Sequence, residues 1–271
     1  MSFSVGSLFR PTEQSTVALS FARAARNPAL EELYFHGLHA GNFSFEIGND
    51  DLDSEIAYGL DLSYRVRMKR VSAEVTYFNN SVNDYIFRSP VTEEEYEARF
   101  GVPPHHDHDH DHDHDHGDAD ELPIVEFLAR DARLQGVEAH ADVEVTPGLH
   151  FEFGLDTVRG SLRDTGEALP RIPPVRLIGG LQYHRNAMQV GAQVVGALAQ
   201  NRVYDTETTT PGYTTLRLFG VYSLQAGRLV HTFSARFDNV TNQLYRNHLS
   251  LVKDLVPEMG RSARVVWSVS Y

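Results

Sequence analysis

The sequence predicts an all-β protein, an antiparallel transmembrane β-barrel portion of about eleven strands. Three observations predict it. Hydrophobicity alternates with a period of two, connections alternate between very short and long, and aromatic residues gather near the ends of the alternating stretches. From Glu55 to Val66, one face carries Ile56, Tyr58, Leu60, Leu62, Tyr64 and Val66, while the other carries Ala57, Gly59, Asp61, Ser63 and Arg65. Such a segment presents one face to an apolar medium and one to water.

In chain order, strands are expected at 3–10, 15–23, 54–66, 71–88, 122–146, 149–160, 174–185, 188–199, 212–224, 228–239 and 260–271. Within the fifth, Val137, Ala139, Ala141, Val143 and Val145 alternate with Glu138, His140, Asp142 and Glu144. The last is the plainest, with Ala263, Val265, Trp267, Val269 and Tyr271 set against Ser262, Arg264, Val266, Ser268 and Ser270. Short connections fall at "PTEQ", "RMK", "TPG", "RNA" and "QAG", and long ones at roughly 24–53, 89–121, 161–173, 200–211 and 240–259. Tight turns at one end and long loops at the other describe an outer-membrane barrel. A soluble sandwich or lipocalin-like barrel, with the apolar face turned inward, is the alternative. An odd set of alternating strands cannot close antiparallel on itself, whereas bacterial single-chain barrels have even counts. The expectation is therefore an incomplete barrel, the C-terminal part of a longer chain.

Composition narrows the function. Of 271 residues 41% are hydrophobic, and the net charge is -13. An acidic chain lacks the basic face that a nucleic acid demands, so cations are the better-matched clients. Without cysteine there is no thiolate site, and any metal site must use His, Asp or Glu. No apolar run approaches the roughly 18 residues of a membrane-spanning helix. The opening "MSFSVGSLFRPTEQ" lacks the basic flank and apolar core of a signal peptide. Nor is there a nucleophile elbow, a phosphate loop or a helical HExxH motif, so an enzyme is not expected.

Several stretches resemble the C-terminal half of TonB-dependent outer-membrane receptors, barrels of about 22 strands with a plugged lumen. They are "SFARAARNPALEELY" (20–34), "GNDDLDSEIAYGLDLSYR" (48–65), "VSAEVTYFNNSVNDYI" (71–86), "RLQGVEAHADVEVTPGLHFEFGLDTVRG" (133–160), "PRIPPVRLIGGLQY" (170–183) and "FDNVTNQLYRNHLS" (237–250). Tyr271, closing a strand, is similar to the end signal of such barrels. The resemblance covers essentially the whole chain, 1–271. It implies a bacterial outer-membrane location, contact with lipid and coupling to the TonB complex, with the N-terminal plug domain missing from these residues.

Between 89 and 121 lies "HHDHDHDHDHDHG". His105, His106, His108, His110, His112, His114 and His116 are half of the 14 histidines, and Asp107, Asp109, Asp111, Asp113 and Asp115 separate them. Imidazole nitrogen and carboxylate oxygen are the two zinc-ligand types left without cysteine, here at the shortest possible spacing. Many overlapping weak sites are expected rather than one tight one. The same composition also suits a plain solvated loop. The tract follows a strand ending near Arg88 and precedes one beginning near Leu122, which puts it at the extracellular mouth.

Such a loop, together with the ending "YRNHLS...KDLVPEMGR", is similar to zinc-uptake receptors and implies zinc as cargo. Nickel, cobalt and copper stay open, because the affinity order of such ligands favours copper whatever the cargo. His36 and His39, spaced as on one helical face, and His248, followed by Asp254 and Glu258, are expected to contribute to a tighter site. His140 and His150 fall on the water-facing side of their strands, as way stations for an ion or as plain hydrophilic lining, and His231 falls on the lipid side with no role in zinc. Haem receptors of the family carry a loop histidine between two short boxes. Here "ARNP", His36 or His39, and "GNDDL" occur in that order, so haem is the alternative cargo. A metal-sequestering surface protein without transport is a third reading.

Overall fold

The computed structural model describes residues 1–101 and 122–271. Its strands are β1 (Phe3–Thr12), β2 (Ser15–Arg26), β3 (His36–His39), β4 (Ser44–Ile47), β5 (Glu55–Arg67), β6 (Val71–Pro90), β7 (Ile124–Thr146), β8 (Leu149–Leu162), β9 (Arg176–Arg185), β10 (Met188–Ala197), β11 (Tyr213–Ala226), β12 (Leu229–Asp238) and β13 (Ser262–Ser270). Two short helices, α1 (Leu30–Tyr34) and α2 (Glu93–Phe100), lie in the long connections. Eleven strands form one continuous path, β1-β2-β5-β6-β7-β8-β9-β10-β11-β12-β13, each antiparallel to the next. These are the strands expected from the alternation, with ends shifted by a few residues. The hairpin of β3 and β4 was not expected; it lies off the path, and β4 pairs in parallel with the start of β7 through Phe45 and Ile124.

Each short connection reverses the chain within a few residues, as between Arg185 and Met188 or Ala226 and Leu229. Gly148, Asn186 and Gly227 adopt positive φ there (79°, 52° and 64°), a conformation open to Gly and Asn at little steric cost.

Because the pleat has period two, the register sorts every strand into the same two faces. Leu60, Leu62 and Tyr64 lie on the outer face and are exposed. Arg65, Thr76, Glu138 and Asp156 lie on the other and line one continuous cavity, which makes the polar face the concave one. Cross-strand polar pairs lace it together, including Arg65 with Glu74 at 2.7 Å and the hydroxyls of Ser63 and Thr76 at 2.8 Å. The soluble alternative would require the apolar face inside, and the structure has it outside.

The buried hydrophobic groups sit at the long-loop end. Val82, Phe87, Ala132, Leu162, Leu169, Ile172 and Tyr204 form one cluster, and Phe45, Ile47, Tyr96 and Ile124 another. Each fully buried side chain of this size contributes about 1.5–3 kcal/mol, so the external loops are packed structure in their own right.

Among the described residues, β1 and β13 each pair on one side alone. Open edges are costly in lipid, so the 271-residue chain expressed by itself is expected to aggregate or close irregularly in detergent. A sharp, reversible, monomeric unfolding transition would contradict this. In a complete barrel, Leu60→Arg near mid-strand is expected to cost about 2–4 kcal/mol in urea unfolding from vesicles, as for an arginine facing lipid near the bilayer midplane. Asp61→Arg on the wet face should change stability by about 0.5 kcal/mol or less. Equal effects would refute the assignment of faces.

Candidate functional site

The tallest part of the sheet carries the histidine tract. β6 has 20 residues and β7 has 23, about twice the 9–11 that cross a bilayer. At the other end β6 and β7 both close in short turns, so the excess projects on the long-loop side. The ladder between them runs to Pro90 and Val125, and Val91 N–H donates to Ile124 O at 3.0 Å. Beyond it, α2 starts with a reciprocal cap: the Thr92 hydroxyl accepts from Glu95 N–H at 3.2 Å, and the Glu95 carboxylate accepts from Thr92 N–H at 3.0 Å. The helix ends at Gly101 in the left-handed region (φ 81°). Arg99 then forks onto the Glu126 carboxylate of β7 at 2.8 and 2.9 Å. Arg99 of α2 and Glu126 of β7 are thus held together on either side of the segment from 102 to 121. Residues 105–116 lie outside the described residues.

His36 and His39 are not on a helix. α1 stops at Tyr34, Phe35 is extended, and both histidines sit on β3, where a separation of three sends the side chains to opposite faces. His36 stands among Phe45, Tyr96 and Phe100, with ring centroids 4.8–5.9 Å away, and its Nε2 is 2.9 Å from the Tyr96 hydroxyl. His39 packs against Phe35, and its Nδ1 is buried without a hydrogen-bond partner among the described residues. Next to them the buried Glu46 carboxylate is held by Arg88 at 2.6 Å, Asn42 at 2.7 Å and Ser44 at 3.1 Å. A buried carboxylate persists only when matched in this way.

On the concave wall, His140 and His150 face water as the alternation requires. Asp142 Oδ1 lies 3.0 Å from His150 Nδ1, and the ring of His184 on β9 meets that of His150 edge-on at 5.4 Å between centroids. His184 escaped the sequence reading, although the signal existed: Gln182 pairs with His150, and His184 follows two residues later on the same face. His231 points outward and stacks parallel on Trp267 at 5.9 Å.

His248 is 2% exposed. Its Nδ1 lies 2.8 Å from the Thr210 hydroxyl, while Nε2 has no hydrogen-bond partner among the described residues and stands 3.9 Å from a Glu207 oxygen. Around it the loop after β10 is clasped to the loop after β12. The Thr208 hydroxyl donates to Asp254 at 2.8 Å, the buried Lys253 ammonium donates to Thr208 O, and Arg171 donates to Glu207 at 2.8 Å and to Leu249 O at 2.7 Å. The structure does not bring His248 together with His36 or His39. Among the described residues no group of three or more His, Asp or Glu side chains is arranged to hold a metal ion.

Burial pushes the His248 imidazole below its ordinary range; Lys253 adds to the shift, while Glu207 and Asp254 oppose it. The folded state therefore binds fewer protons here than the unfolded state. The stabilisation is complete above the ordinary imidazole value of about 6.5 and is lost as pH falls from there through the lower folded value. In chelator-treated protein, hydrogen exchange in residues 200–211 and 240–259 is expected to accelerate on acidification through this window. His248→Gln should abolish the pH dependence; an unchanged dependence in the variant would refute the assignment.

Residues 1–242 match the family described as TonB dependent receptor-like, beta-barrel. The chain is 24% identical over 262 residues to heme/hemopexin utilization protein C of Haemophilus influenzae, a match covering 90% of this chain and 34% of that protein. Among solved structures, it resembles the copper transporter OprC with a TM-score of 0.74 at 20% identity, over 98% of this chain and 38% of that one. For the ferric enterobactin receptor of Pseudomonas aeruginosa the TM-score is 0.67 at 21% identity, over 99% and 39% of the two chains. The chain thus spans little more than a third of the length of these relatives. Every strand but β13 falls inside the family match, and the sheet turns its apolar face outward: the chain is a portion of an outer-membrane β-barrel and belongs to the TonB dependent receptor-like family.

Proposed function

We propose that this chain is the barrel portion of a receptor that captures a divalent metal ion, zinc foremost, outside the cell and admits it with energy drawn from the TonB complex. In this reading the plug that gates the lumen comes from an N-terminal region outside these residues. One observation carries it: seven histidines and five aspartates alternate in a segment emerging from the tallest hairpin of the sheet. Each neutral imidazole offers one lone pair and each carboxylate an oxygen, so the tract offers zinc many overlapping ligand sets. Such sites exchange quickly, which suits collection, and the aspartates raise the local cation concentration. His36, His39 and His248 remain candidates for a tighter external site. In support, His39 Nδ1 and His248 Nε2 are buried nitrogens with no hydrogen-bond partner among the described residues. The role of these residues is transport and binding, not catalysis.

Haem is the second reading, favoured by the surroundings of His36. Phe45, Tyr96 and Phe100 form an apolar, aromatic setting of the kind a porphyrin face requires, and an imidazole is a common axial ligand. The protein from Haemophilus influenzae bears a haem-utilisation name.

The deciding experiment uses the complete receptor, intact and with residues 104–118 replaced by a Gly/Ser linker. In calorimetry against a competing chelator, the replacement is expected to remove a set of weak zinc sites and to slow growth on limiting zinc. Unchanged binding and growth would overturn the zinc reading. A Soret shift on adding haem, lost in His36→Ala, would put the haem reading in its place.

A further inference from the structure

The wall of the lumen holds a second arrangement of metal-ligating groups, far along the strands from the tract. His150 stands two residues past Gly148 at the start of β8. His184 stands near the end of β9, and its backbone N–H donates to Gly148 O at 2.7 Å. Both imidazoles are therefore mounted on ladder positions beside one short turn, on the concave face and open to water. A carboxylate can only accept a hydrogen bond. In the neutral imidazole, the 3.0 Å contact between Asp142 Oδ1 and His150 Nδ1 therefore puts the proton on Nδ1 and leaves the Nε2 lone pair free. This is the arrangement in which a carboxylate orients a metal-bound imidazole and raises its basicity. The ring of His184 lies 5.4 Å from that of His150, close enough for one ion to bridge the two.

The charge around the pair favours a cation. Its register neighbours on the same face are Asp142, Glu144, Glu152, Gln182 and Gln189. The two glutamines satisfy each other, Gln189 Nε2 donating to Gln182 Oε1 at 2.7 Å. No lysine or arginine is among these neighbours, in contrast to His248, whose pocket already holds the Lys253 ammonium. Glu144 stands directly opposite His150 in the ladder, where cross-strand Cβ atoms are about 4.5–5.5 Å apart.

We propose that His150 and His184 form a two-imidazole station for a borderline-soft divalent cation, zinc or copper in class, near the short-turn end of the lumen wall, with Asp142 as its positioning residue. Water completes the coordination, because no third donor is in bonding position among the described residues. Two protein ligands give a loose, fast-exchanging site, suited to an ion in passage. Only the biological use of the station rests on the metal-uptake reading; the site itself stands on this geometry.

The test uses the complete receptor with residues 104–118 already replaced by a Gly/Ser linker, so that the tract contributes nothing, and zinc as the probe. His150→Gln with His184→Gln is expected to remove one equivalent of zinc in competition calorimetry. Asp142→Ala should weaken that equivalent about 10–100-fold. Equal stoichiometry and affinity in all three proteins would overturn the proposal, whatever the tract replacement itself does to binding. A second measurement needs no substitution. On the receptor with its natural sequence, zinc is expected to protect His150 and His184 together from diethyl pyrocarbonate, read by peptide mass spectrometry. Modification of both at the same rate with and without zinc would refute the station.

Discussion

Hydrocarbon offers no partner to a peptide N–H or C=O, so each backbone group that crosses the bilayer must find one in the neighbouring strand. From that constraint follows the long meander in which every strand of the path pairs with the next one along it, with the departures confined to the loops. Once backbone pairing fixes the register, the pleat decides the rest. One face must satisfy lipid and the other water, which is how an acidic chain can also be a membrane protein. The polar residues form a wet inner wall, where Arg65 meets Glu74 and Arg176 meets Asp156, at exposed positions where such pairs add little stability.

Stability of the conventional kind is displaced to the loops. The strands hide little apolar surface from one another, and the buried hydrophobic clusters lie where β4, α2 and the loops fold over the strand ends. Polar groups follow the same plan. Glu46 with Arg88, and His248 with Thr210 and Lys253, are buried because loops close over them, and both occur at the end of the barrel that faces the outside. The external layer is thus a folded platform: His248 is buried within it, and His36 and His39 sit on one of its strands.

Period two made the eleven long strands legible, since alternation sustained over nine or more residues fits a two-faced strand and neither a helix nor a loop. It could not reveal β3 and β4, which have four residues each and exist because β4 finds a partner in β7, distant in sequence. The spacing of His36 and His39 suggested a helical face for the same reason: without the partner strand, a three-residue interval reads equally well as helix. The cap at Thr92 and Glu95 was readable as Ser/Thr-x-x-Glu but was masked by the acidic run around it. His248 shows the opposite limit. Its place in an external loop was readable, yet its burial depends on Glu207, Thr210 and Lys253 arriving from two different loops, and no local pattern encodes that. His140 and His150 were assigned correctly because a strand position carries its own orientation.

The clamp at the root of the tract has a consequence for how such a protein can vary. Pro90 is paired with Val125 and Arg99 with Glu126, so the two ends of the intervening segment are held together by contacts that do not depend on its length. Closure entropy grows only slowly with loop length, about 0.6 kcal/mol for each doubling. Residues can be added or removed between these anchors with no change in the register of any strand. The length of the segment between these anchors is therefore free to change while the strands beneath it keep the same geometry.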